Sequence, residues 1–348
     1  MPSDDIPPRA KIALLICDPT HEKFIEDHGN INALFTGLYT NLVTLLNGEE
    51  PAAGMKRTRL DLFLPEVTTM KPFDVDEFDV IGGELPDDVA EYDSVIVSGS
   101  AHGVNDKDEW ILELTKFLHD TAENHPQVKL IGICFGHQII SRAVFDLTVK
   151  ANPEGWEIGP YEIDLINVGT ALFPGRESLT IEMFHHDAVF LEEPGASTGS
   201  GAGGASSGGG TSNSNSGNAS NGAGNASNGN TSSGNTSNGN TDEASSDTPA
   251  VARMAAGEHV EIWGKTEKTE NQGLVSLYTH KPGDELTVDD IHIFTCQGHP
   301  ELTQKMTDTL LDLFEEDIDE KAVEEARERI NAFKDSNRAL DWHQIALL

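Results

Sequence analysis

The sequence predicts an α/β fold: an open, mostly parallel sheet with helices on both faces and an antiparallel extension. Three observations predict it. Short apolar strands alternate with amphipathic helices up to Lys150, the pattern of a parallel sheet buried on both sides. Beyond Lys150, strands follow one another without helices between them, which suggests antiparallel neighbours. A Gly/Ser/Asn tract then interrupts the pattern, and strands resume after it.

Taken in order, "KIALLICD" (Lys11–Asp18) reads as a buried strand and "INALFTGLYTNLVTLL" (Ile31–Leu46) as a helix. "RLDLFLP" (Arg59–Pro65) and "SVIVSGS" (Ser94–Ser100) are the next strands, the latter ending in small residues. "EWILELTKFLHDTAE" (Glu109–Glu123) has the spacing of an amphipathic helix. "VKLIGIC" (Val128–Cys134) is a strand that runs into the helix "GHQIISRAVF". The later strands are "YEIDLINV", "LTIEMF", "HVEIWGK", "LVSLYTH" and "IHIFTC", and a long acidic helical region closes the pattern.

The chain has 348 residues, with 23 Lys and Arg against 59 Asp and Glu, a formal charge of −36. Such a surface repels polyanions and acidic membranes, so neither nucleic acid nor membrane is expected as a partner. The densest acid, "FEEDIDEKAVEEARER" (Phe314–Arg329), reads as a solvated helix face. No apolar run is long enough for a bilayer, and "MPSDDIPPRA" has no apolar leader segment. Three cysteines, Cys17, Cys134 and Cys296, are too few and odd in number for a disulfide framework. A cytoplasmic location is the expectation.

Residues Gly195–Thr248 contain almost nothing apolar. That composition cannot offset its ordering entropy, so disorder is expected. Asn218 and Asn225 head Asn-x-Ser sequons there, read as accidents of composition.

Chemistry concentrates at "KLIGICFGHQII". Cys134 stands at a predicted strand end, where open parallel sheets place their sites. Gly132 and Gly136, two residues either side, remove the Cβ atoms that would clash in a sharp strand-to-helix turn, as in a serine elbow. A helix starting at the thiol favours thiolate, and the Phe135 amide points where an oxyanion would form. Taken alone, a buried cysteine in a βα turn is the plainer reading. A thiol nucleophile also needs a base and an orienting group. "FTCQGHPEL" supplies both in His299 and Glu301, again after a strand. Cys296 lies within that strand and is a poor rival nucleophile.

"GICFGHQ" with a distant "QGHPE" resembles the class I, triad-type glutamine amidotransferases. The resemblance is strongest to stand-alone members related to the amidotransferase domain of GMP synthase and to plant γ-glutamyl peptidases. "VSGSAHGVNDKDEWI" (Val97–Ile111), "NPEGWEIG" (Asn152–Gly159) and "FHHDAV" (Phe184–Val189) extend it over residues 11–193 and 251–310. The resemblance implies a flavodoxin-like sheet in a single domain spanning residues 1–348. Because the motifs straddle residues 195–248, the tract becomes a loop insertion in that domain rather than a linker.

The resemblance also implies roles. Cys134 is the nucleophile, His299 the general base and acid, and Glu301 its orienter. The amides of Phe135 and Ser100 hold the oxyanion, although members of the family more often carry Gly-Gly-Pro where this chain has Gly99-Ser100-Ala101. Gln138 holds the amino-acid end of the substrate, beside the plainer reading of a helix-surface glutamine. His185 and Asp187 match a His-x-Asp stretch near the substrate, beside the plainer reading of a polar turn. Trp156 fits that region or the core equally. No metal or other cofactor is implied. The expected substrate is a small molecule, glutamine or a γ-glutamyl compound, attacked at the γ-carbonyl to give a thioester. No G-x-x-x-x-G-K-[ST] phosphate loop is present. Either a separate synthase subunit accepts the ammonia, or there is no acceptor and the protein is a γ-glutamyl peptidase. A non-catalytic binding module and a redox sensor using Cys134 are the alternatives from other classes.

Overall fold

The computed structural model describes residues 10–46, 73–191, 252–253, 259–278, 286–336, 338–341 and 344–345. They fall in one compact unit made of residues 1–192 and 250–348. The strand expected at Arg59–Pro65 and the tract Gly195–Thr248 lie outside the described residues.

In chain order the elements are β1 (Ala10–Ile16), α1 (Glu22–His28), α2 (Ile31–Leu46), β2 (Phe73–Asp79), β3 (Ser94–Val97), α3 (Glu109–Asn124), β4 (Lys129–Ile133), α4 (Phe135–Phe145), β5 (Thr148–Ala151), β6 (Glu157–Leu165), α5 (Gly169–Leu172), β7 (Ser178–His185) and β8 (Asp187–Phe190). After these come β9 (Ala252–Arg253), β10 (His259–Ile262), β11 (Gly264–Lys265), β12 (Leu274–Leu277), β13 (Ile291–Cys296), α6 (Gln304–Phe314) and α7 (Glu320–Lys334). The main sheet has the order β2-β1-β3-β4-β13-β12-β10-β9. Pairing is parallel from β2 through β13 and antiparallel from β13 to β9. This is the predicted mostly parallel α/β sheet with its antiparallel extension.

The inner parallel strands β1, β3, β4 and β13 are largely apolar on both faces because both are covered. On one face Leu15, Val95, Val97, Leu130 and Ile293 pack against Trp110, Ile111, Leu114 and Leu118 of α3 and Phe135 and Ile139 of α4. On the other, Leu14, Ile96, Ile133 and Phe294 pack with Phe35 of α2 and with Tyr161, Ile163, Leu179, Ile181 and Met183.

Those last five side chains belong to β6 and β7, which do not extend the main sheet. They form a separate antiparallel sheet of order β11-β6-β7. An alternating strand pattern specifies a buried face but not which sheet edge it joins. The edge strand β2, "FDVDEFD", was not foreseen. It alternates exposed acidic residues with half-buried apolar ones, and charge on an edge is a common guard against wrong pairing. No helix among the described residues is long and apolar enough to cross a membrane.

Candidate active site

Three neighbouring parallel strands end together. Val97 of β3 pairs with Gly132 of β4, and Ile133 of β4 pairs with Cys296 of β13. The residues that follow each strand therefore meet at one edge: Gly99 and Ser100 after β3, Cys134 after β4, and Gln297–Glu301 after β13.

Cys134 is the residue between β4 and α4, with φ +52° and ψ −104°. A β-carbon is strained in that region, and such strain persists only where the surroundings impose it. Here they do. Its amide donates to the Cys296 carbonyl at 2.8 Å, and its carbonyl accepts from the Gln138 amide at 3.1 Å. A methyl group on Gly132 would run into the Gly136 carbonyl, and one on Gly136 into the Val97 carbonyl of β3. The two glycines are thus required for the turn itself and for the close approach of α4 to β3.

The imidazole of His299 is held from both ends. Its own amide donates to the Glu182 carbonyl of β7 at 2.7 Å, fixing the turn. Its Nδ1 lies 2.7 Å from Glu301 Oε1, and the ring also feels the Cys134 side chain. Burial disfavours the imidazolium, but the negative fields of Cys134 and Glu301 outweigh it, and the ring's pKa is raised well above the usual histidine value. Gly99 makes room for this arrangement: a Cβ there would lie 3.1 Å from His299 Cε1 and 3.6 Å from Cys134 Cβ.

The two candidate oxyanion amides belong to the residues that follow Cys134 and Gly99. Phe135 opens α4, so its N–H has no partner within that helix. The turn carrying Ser100 is tied by side chains: the Ser100 hydroxyl accepts from the His102 amide at 3.1 Å, and Asp18 Oδ2 accepts from the Ala101 amide at 2.9 Å. Among the described residues, neither the Phe135 nor the Ser100 amide donates to an acceptor.

Gln138, His185 and Asp187 also converge, but largely through internal bonds. Gln138 Nε2 donates to the Asp187 carbonyl and to Gln297 Oε1, both at 3.1 Å. His185 Nδ1 lies 3.0 Å from the same Asp187 carbonyl, and its Nε2 lies 3.0 Å from Glu157 Oε2. Glu157 in turn accepts from Thr266, Thr269 and Gln272 at 2.6–2.7 Å. Burial pushes its pKa up, but His185 and the two hydroxyls outweigh burial and hold it at about 2. The Asp187 side chain is half-buried. Trp156 is half-buried too, stacked on His186 with ring centroids 5.1 Å apart.

Two residues at this edge carried no individual signal in the sequence. Gln297 was only part of "QGHPE"; its Nε2 reaches Cys134 Sγ at 3.6 Å. Glu182 was only a strand residue; it is buried, its carbonyl fixes His299, and burial raises its carboxyl to a pKa of about 7. No group of three or more His, Cys, Asp or Glu side chains is placed to hold a metal ion among the described residues.

Comparison with known proteins follows the same lines. A stretch of 125 residues is 38% identical to γ-glutamyl peptidase 2 of Arabidopsis thaliana, covering 34% of this chain and 48% of that one. Another of 126 residues is 32% identical to a glutamine amidotransferase-like protein of Penicillium rubens, covering 35% and 52%. A third of 101 residues is 32% identical to a protein of Schizosaccharomyces pombe with a glutamine amidotransferase-like name, covering 29% and 40%. The chain is homologous to glutamine amidotransferase-like proteins and γ-glutamyl peptidases. The matches span about half the length of these relatives. No family profile matches the chain. The crystal structure of a glutamine amidotransferase from Methylobacillus flagellatus superimposes with a TM-score of 0.50 at 14% identity, over 98% of this chain and 93% of that one. At that identity the likeness concerns the fold, and the fold is that of the amidotransferase neighbours.

Proposed function

We propose that the protein is a cysteine hydrolase of the glutamine amidotransferase type, acting on the γ-amide of glutamine or a γ-glutamyl bond. The observation that carries this reading is the conjunction of a thiol on a strained elbow with an imidazole held between it and a carboxylate. The homologues' names point to the same chemistry.

Cys134 is the nucleophile. Cys134 gives its proton to the neighbouring His299 imidazole, whose charged form Glu301 stabilises. The thiolate attacks the γ-carbonyl carbon, and the carbonyl π electrons move to its oxygen. The Phe135 and Ser100 amides hold that oxyanion; loss of one such donor typically costs ~10²–10³ in rate. The His299 imidazolium gives its proton to the departing amine, the C–N bond breaks, and a γ-glutamyl thioester remains. Neutral His299 then takes a proton from water, the resulting hydroxide opens the thioester, and glutamate leaves as the thiolate re-forms. Glu301 orients the ring and stabilises its charged form throughout.

The half-buried Asp187 carboxylate takes the substrate's ammonium in this reading. Gln138 and His185 support it from behind by binding its backbone carbonyl. Residues 195–248 are an insertion in a single catalytic domain. The substrate is a small molecule, and a synthase subunit that takes up ammonia is the implied partner if glutamine is the substrate. The peptidase names among the homologues favour a second reading, in which peptides are cleaved and no acceptor exists.

A release assay on purified protein tests this. Ammonia from glutamine supports the amidotransferase reading, and glutamate release from γ-glutamyl peptides the peptidase reading. Cys134→Ala should abolish either, while Cys17→Ala and Cys296→Ala retain it. Release that survives Cys134→Ala refutes the mechanism.

A further inference from the structure

We propose that Gln297 is a further catalytic residue, a hydrogen-bond donor to the Cys134 sulfur whose direction is enforced by Gln138. The proposal deepens the hydrolase reading and rests on it for the meaning of the thiolate, though not for its test.

An amide side chain can be turned either way, and its neighbours decide which. The Asp187 carbonyl is only an acceptor, so the Gln138 atom 3.1 Å from it must be the amide nitrogen. That nitrogen also lies 3.1 Å from the Gln297 side chain, which must therefore present its oxygen. The other terminal atom of Gln297, 3.6 Å from Cys134 Sγ, is then the nitrogen. The polarity of the chain is set by a backbone carbonyl at its far end, and a donor is delivered to the sulfur.

The position is rigid. Gln297 is fully buried, and its own amide donates to the Gln272 carbonyl at 2.9 Å. Gln138 is 5% exposed. The other groups facing the sulfur come from four elements: the His299 imidazole from the turn after β13, Cys296 from β13 itself, the Phe184 carbonyl of β7 at 3.9 Å, and the N-terminus of α4. The Phe184 carbonyl can accept from a thiol but offers nothing to a thiolate. Gln297 does the reverse. A fixed neutral donor stabilises the thiolate without adding charge and remains in place when His299 has given its proton away. During release of glutamate it favours departure of sulfur from the thioester.

The test reads the thiol directly and needs no substrate. The rate of alkylation of Cys134 by iodoacetamide is followed against pH, with the site identified by peptide mass. Gln297→Met removes the donor at similar volume and should raise the midpoint by about one pH unit, a roughly tenfold loss of rate below the midpoint. Gln297→Glu keeps the shape and the bond from Gln138 but turns an acceptor toward the sulfur, so its midpoint should rise further. Gln138→Met, a positioning change, should raise it by less than Gln297→Met. Thermal melts establish that each variant is folded, and Gln297→Glu carries the test if Gln297→Met is not. Wild-type midpoints in folded Gln297→Met or in Gln297→Glu would overturn the proposal, as would a shift in Gln138→Met alone. Failure of the hydrolase reading shows instead as no release by the wild-type protein, whatever these midpoints are.

Discussion

Among the described residues two buried histidine–carboxylate pairs stand out, and they have opposite characters. His299 with Glu301 lies at the end of the parallel sheet, with the imidazole side chain 11% exposed and a thiol on its other side. His185 with Glu157 is sealed, at 1% and 0% exposure, and its carboxylate is saturated by two hydroxyls and an amide. A saturated carboxylate anchors structure. One that binds a single imidazole nitrogen sets the charge and aim of that ring, and the other nitrogen is left for chemistry. The difference between the pairs lies in what surrounds the carboxylate, not in the pair itself.

The sharpest way to break this comparison is to cut both histidines. His299→Asn should lower turnover by roughly 10²–10⁴-fold. His185→Asn should chiefly cost stability, because it leaves a buried carboxylate short of a partner, a change that typically costs about 3–5 kcal/mol, and should lower turnover far less than His299→Asn. Equal losses of activity and stability in the two variants would dissolve the distinction.

Acid sharpens it further. The Glu157 pKa is depressed from 4.5 to about 2 in the folded protein, so its stabilisation is present above pH 4.5 and is lost as pH falls toward 2. The linkage is worth on the order of 3 kcal/mol. Urea unfolding of Glu157→Gln should show a shallower fall in stability over that window than the wild type. Identical slopes would mean that Glu157 is not a saturated anchor.

Glu182, on β7 beside the His299 turn, supplies an effect of similar size and opposite sign. Burial outweighs the Thr307 hydroxyl and the positive fields of His299 and Lys334, and its pKa rises from 4.5 to about 7. The sign is opposite to that of Glu157. The folded state holds a proton that the unfolded state releases above pH 4.5, so stability is full below that pH and falls as pH rises through 7. Glu182→Gln should raise the melting temperature by several degrees at pH 8 and leave it unchanged at pH 4. A gain of equal size at both pH values would assign the effect to packing instead.

Local chemistry and the pairing of the two motifs were legible in the sequence, and the other tertiary partnerships were not. The elbow at Cys134 could be read because its glycines act within five residues, and the two clashes they avoid are present as expected. His185-x-Asp187 and His299-x-Glu301 look alike on paper. Glu157, which separates their characters, is remote from His185 in sequence and shares no motif with it. The separate β6–β7–β11 sheet was hidden for a similar reason: strand alternation reports burial on one face and is silent about the neighbour that supplies it. Gln297 lay inside a quoted motif, yet its role depends on which way an amide points, and only a three-residue bond chain fixes that.

The hydrogen-bonded pairing of β4 with β13 has a practical corollary. The thiol belongs to the piece of chain before residue 195 and the imidazole to the piece after residue 248, and the seam between the pieces runs through the middle of the sheet rather than along its rim. Made as two separate polypeptides, each piece would be chemically silent. Under the proposed mechanism, mixing them should restore the sheet and the release together, which a release assay on the mixed halves would read.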